Sequence, residues 1–72
     1  MPPERFDHYP TEPFRLTEVD ARTIRAFCPK AHMSLGCAFM NTRRILIRND
    51  LSPGARDLVL RHEYAHLNGW TH

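Results

Sequence analysis

The chain has 72 residues, 42% of them hydrophobic and 25% charged, with a formal net charge of +2. That length allows one domain, and a chain so short buries only about 60% of its unfolded surface, so a metal, a disulfide or an oligomer is expected to help hold it. The basic excess is mild and scattered, which excludes a phosphate-tracking stripe, and no segment approaches the roughly 20 apolar residues of a membrane span. Neither nucleic acid nor membrane is therefore an expected partner.

The N-terminal MPPERFDHYP lacks the apolar run of a secretion signal, which makes a cytoplasmic protein the expectation. Residues 1–15 hold four of the six prolines. Proline lacks a backbone donor and fixes φ, so neither helix nor central strand is expected there. The segment reads as an extended arm that Phe6, Tyr9 and Phe14 pin to the core. Residues 16–72 are then the domain proper.

A first helix is expected over 18–27. Thr17 with Asp20 three residues on resembles a capping box, Val19, Thr23, Ala26 and Phe27 recur at helical spacing, and Pro29 ends the run. PKAHMS reads as a loop. LGCAFM and RRILIRN, separated by Asn41-Thr42, read as a β-hairpin over 35–48, with Arg43 and Arg44 at its solvated end. Cys28 and Cys37 are nine positions apart. Without a secretion signal, two reduced, half-buried thiols are the expectation. A disulfide, or a C-x3-H-x4-C metal role through His32, are the alternatives.

The clearest element is a helix over 53–68. Ser52 suits the N-cap, Pro53 the first helical position, and Gly69 the left-handed position just past the end. On a wheel of about 100° per residue, Ala55, Leu58, Val59, His62, Ala65 and His66 share one sector. Leu60, Tyr64 and Leu67 fill a second, leaving Asp57, Arg61 and Asn68 as a narrow polar stripe. A helix apolar over most of its circumference is buried, so this is the expected central helix. The expected fold is a small α+β domain of two layers, a β-hairpin packed on a zinc-binding central helix, plus one further helix.

His62 and His66 lie four apart, so on a helix both imidazoles share a face and can reach one zinc ion at about 2.0–2.1 Å. Glu63 points about 100° round the helix from His62, too far for a natural third ligand. It is placed instead to reach a water on the metal as general base. Gly69 can turn the chain so that His72 folds back as third ligand, completing the spacing H-E-x-x-H-x-x-G-x-x-H. His8, His32 and Asp50 are alternative third ligands, although His8 and His32 first read as surface residues. Trp70 reads as a core plug or hydrophobic cap, and Tyr64 as core.

This motif resembles that of the zincin metallopeptidases, and its extended form that of the metzincins. GCAF, a short strand and then LRHEYAHLNGW resemble small metallopeptidases of bacteria and their phages, over about residues 35–72. The methionine turn that metzincins carry downstream of the third histidine has no counterpart, since Met33 and Met40 lie upstream. The resemblance implies His62, His66 and His72 as zinc ligands and Glu63 as catalytic base. It also implies a cleft-lining strand, RILIRN or GCAFM, that receives peptide by edge pairing. The expected activity is hydrolysis of peptide bonds in a peptide or protein substrate, with an oligomer or partner protein completing the small cleft. A non-catalytic zinc-binding structural or regulatory module is the alternative. A nucleic-acid-binding zinc module lacks both the basic stripe and four closed ligands.

Overall fold

The structure, a computed structural model, describes residues 1–28 and 35–71. After a 3-10 turn at Glu4–Phe6 come β1 (Arg15–Val19), α1 (Ala21–Phe27), β2 (Gly36–Phe39), β3 (Arg44–Arg48) and α2 (Pro53–Leu67). The fold is α+β. Its three-stranded mixed sheet has the order β1-β3-β2, with β1 parallel and β2 antiparallel to β3.

The first helix starts later than its sequence suggested. RLTEV is a strand whose five residues pair in register with Arg44–Arg48. Thr17 therefore lies inside β1, and Asp20 caps α1 instead, its carboxylate accepting from the Thr23 N–H at 2.8 Å. Residues 35–48 do form the expected hairpin. Its turn is closed by Arg43 N–H donating to Met40 C=O at 3.3 Å, with Arg43 in the left-handed region at φ 52°.

Alternation along the strands sorts the side chains onto two faces. Leu46, Cys37, Phe39 and Val19 pack with Ile24 and Cys28 from α1. Ile45 and Ile47, both fully buried, point the other way, toward α2. There a Cβ on Gly36 would lie 3.1 Å from Val59 Cγ1 and 2.8 Å from the Leu46 carbonyl oxygen. No side chain fits, so α2 can press directly on β2. The expected hairpin-on-helix pairing is present, and α1 adds a further layer across the sheet.

On α2 itself, Leu60, Glu63 and Leu67 form one buried row, three and four residues apart, and Ala65 is fully buried on another side of the helix. The helix is less enclosed than its composition implied. Leu58, placed with the apolar sector, is 58% exposed.

Cys28 and Cys37 are joined as a disulfide, with Cα atoms 5.9 Å apart. This corrects the expectation of reduced thiols: the α1 end and β2 meet on one face of the sheet, within bonding reach. The arm is pinned, and by polar contacts as well as aromatic ones. Asn68 Nδ2 donates to the Phe6 and His8 carbonyls at 2.9 Å each, and Arg61 grips Asp7 through two nitrogens. Tyr9, Phe14 and Tyr64 meet edge to face with centroids 5.2–5.5 Å apart. Arg43 then ties arm, hairpin and helix together, donating to the carbonyls of Glu12 at 3.2 Å, Pro13 at 3.1 Å and Leu67 at 3.1 Å.

No described helix is long and apolar enough to cross a membrane. Residues 29–34, on which the expected PKAHMS loop, Pro29 and His32 fall, and His72 lie outside the described residues.

Candidate functional site

Both ends of α2 are fixed by local chemistry. Ser52 Oγ accepts from the Ala55 N–H at 3.3 Å, and Pro53 occupies the first turn, where no backbone donor is needed. At the other end Gly69, at φ +110°, turns the chain left-handed. Its N–H donates to His66 C=O at 3.0 Å, and the Trp70 N–H to Ala65 C=O at 2.9 Å. This is a Schellman motif, and it folds Trp70 back over the last turn of the helix.

That fold-back builds the site. His66 Nδ1 lies 2.8 Å from the Trp70 carbonyl oxygen. A carbonyl can only accept, so a proton sits on Nδ1, and in the neutral ring Nε2 is then the acceptor nitrogen. His62 Nε2 lies 3.0 Å from His66 Nε2, within hydrogen-bond distance. The Trp70 ring stacks on His66 at 5.0 Å between centroids and meets His62 edge-on at 5.1 Å. Trp70 therefore orients both imidazoles, a role its reading as a core plug missed. Gly69 at the capping position was the signal for it, because a Schellman turn returns the next residue to the helix.

A cleft of about 470 Å³ separates the C-terminal half of α2 from β2. His62, Glu63, His66 and Trp70 line one wall, and Gly36, Cys37, Ala38 and Met40 the other. Arg48 N–H donates to the Leu35 carbonyl at 3.0 Å, which sets the ladder phase. Pairs in an antiparallel ladder alternate, so Cys37 and Phe39 bond to β3 while the N–H and C=O of Gly36 and Ala38 face away from it. GCAF is thus the edge strand beside the site. RILIR, the other candidate for that role, is the central strand with partners on both sides.

Glu63 is 6% exposed. Burial alone pushes its pKa up to about 7. It reaches the same cleft as the two histidines, as the motif spacing required.

Two nitrogens held at about 2.0–2.1 Å from one tetrahedral ion lie roughly 3.3 Å apart. The 3.0 Å pair of His62 and His66 is close to that separation, and the His66–Trp70 bond supplies the outer-shell acceptor that metal-bound histidines use. The pair fits two positions of a metal. Among the described residues no group of three or more His, Cys, Asp or Glu side chains is set to hold an ion. His72 lies outside the described residues. Of the alternative third ligands, Asp50 is engaged by Arg48 at 2.9 and 2.6 Å, and His8 Nδ1 lies 2.9 Å from the Tyr9 carbonyl oxygen. Neither lines the cleft.

The chain matches no family model, no curated protein and no solved structure. The resemblance to zincins, metzincins and the small bacterial and phage metallopeptidases is corrected accordingly. No family supports it, and the described residues contain no complete metal-binding group. Any function must be argued from this chain's own residues.

Proposed function

We propose that the protein is a zinc-dependent hydrolase of peptide bonds. The observation that carries this reading is the meeting of three groups in one cleft. The paired Nε2 atoms of His62 and His66 and the buried carboxyl of Glu63 face the free edge of β2.

His62 and His66 would hold zinc, with His72 completing the set by its spacing in the sequence. Bound zinc would polarise a carbonyl and lower the pKa of water. The protein groups do the rest. Glu63, poised near neutrality, takes the proton of the attacking water and gives it to the nitrogen of the leaving amine. The outward N–H and C=O groups of Gly36 and Ala38 pair with an extended peptide and lay it along the cleft. The carboxyl group supports catalysis over a purely structural zinc, because burying it costs stability and adds no ligand. The Cys28–Cys37 disulfide also gives this small fold a staple without metal.

The test is zinc content per chain in wild type, His62→Ala and His72→Ala, alongside peptide hydrolysis by wild type and Glu63→Gln. About one zinc per chain, lost or weakened in both histidine variants, is expected, with hydrolysis abolished in Glu63→Gln while its zinc is retained. No zinc after reconstitution sinks the reading. Zinc without hydrolysis by wild type reduces it to a structural metal site, and hydrolysis unchanged in Glu63→Gln removes the carboxyl group from the mechanism.

A further inference from the structure

We infer that the N-terminal arm positions His66, with Asn68 as the positioning residue that transmits its hold. Asn68 is the C-cap of α2, and its backbone N–H donates to Tyr64 C=O at 2.9 Å. Its side-chain amide leaves the helix altogether and spends its hydrogens on the arm, at the Phe6 and His8 carbonyls. The next residue, Gly69, has Phe6 as its nearest non-neighbour, 3.8 Å from where a Cβ would stand. The residue after that, Trp70, supplies the carbonyl that fixes the His66 tautomer.

Three consecutive residues thus run from arm to ligand. Arm segment 6–8 holds Asn68, Asn68 and Gly69 set the turn, and the turn places the acceptor for His66 Nδ1. Arg61, one residue before His62, grips Asp7 between the two carbonyls that Asn68 binds. The arm therefore clasps α2 at both ends of the His62–His66 turn. With the arm in place the Nδ1–H tautomer is enforced and Nε2 faces the cleft. With it detached, the Trp70 carbonyl loses its fixed place, and the imidazole is free to exchange tautomers.

The effect on the ring is independent of any metal. The effect on zinc rests on the proposed function. Two full-length variants test both. Asn68→Asp keeps the size but loses the donor. Asp7→Ala acts from the arm and leaves the helix sequence untouched. The first readout is the nitrogen-15 chemical shifts of the His66 ring, recorded without metal at a pH where the ring is neutral. Wild type should show a protonated Nδ1 and an unprotonated Nε2, and both variants a mixture. The second readout is zinc affinity by competition with a chelator, expected to fall about tenfold, the low end for loss of an outer-shell partner. A role confined to stability would lower the melting temperature and leave the ring shifts unchanged at low temperature, and that result overturns the inference. If wild type takes no zinc, the proposed function fails, and the ring shifts alone still decide this inference.

Discussion

His66 donates from Nδ1 to the carbonyl oxygen of Trp70 at 2.8 Å, and the two rings stack within 15° of parallel. One residue makes both contacts possible. Gly69 sits at φ +110°, where a side chain is strained whatever space surrounds it. Gly69→Ala should cost about 1–2 kcal/mol of stability. Denaturant titration measures the loss. The same variant should loosen His66, seen in its ring nitrogen shifts. A variant as stable as wild type would show that the left-handed turn is not what fixes Trp70.

Glu63 makes stability depend on pH in an unusual direction for a carboxyl group. Its folded pKa, about 7, lies above the ordinary value of 4.5. Between those two values the folded state holds more protons than the unfolded one, so stability falls as pH rises. Below the unfolded value there is no penalty, and above the folded value it is complete. At roughly 1.4 kcal/mol per unit, the full penalty is on the order of 3 kcal/mol. Glu63→Gln should therefore be the more stable protein at pH 8 in the presence of a chelator, and show no such gain at pH 4. Equal stability at both values would mean that the carboxyl group is better solvated than its burial indicates.

Arg43 joins the carbonyls of Glu12, Pro13 and Leu67 from a backbone held at φ 52°. Its removal should destabilise the fold by about 1.5–3 kcal/mol, the range for hydrogen bonds made by a charged group. The replacement matters. Arg43→Ala keeps the strained backbone, whereas Arg43→Gly relaxes it, so glycine should be the milder substitution. Midpoints of chemical denaturation for the two variants check the order, and its reversal would remove the strain from the account.

The Cys28–Cys37 bond closes a short loop, nine positions along the sequence. Chain entropy predicts that reduction costs about 2–3 kcal/mol. Denaturation with and without a dithiol measures it. A Cys28→Ser, Cys37→Ser protein that tolerates denaturant as well as the oxidised wild type would refute a stapling role.

Much of the site was legible because α2 carries its own punctuation. Ser52, Pro53 and Gly69 mark its ends, and a four-residue spacing puts His62 and His66 on one face whatever surrounds them. The hairpin was legible for the same local reason. β1 was not. RLTEV is short, its alternation is weak, and its partner β3 lies far along the chain, so Thr17 with Asp20 looked like a helix start. Burial of Glu63 was hidden too, because a helical wheel does not say which face meets a sheet. The absence of a side chain at Gly36, which leaves room for Val59, lets α2 close on β2. The disulfide depended on the meeting of α1 and β2 across the sheet, which no spacing encodes.

The parallel pairing of β1 with β3 has a consequence for how the chain acquires its shape. A hairpin such as β2–β3 closes in about 1–10 μs, because its strands are neighbours in sequence. A parallel strand gains nothing until a long loop has closed. Synthesis runs from the N-terminus at roughly 5–20 residues per second, so the residues of β1 are joined on the order of seconds before those of β3. The first strand to be made is the last to be paired, and the arm that precedes it waits even longer for Asn68.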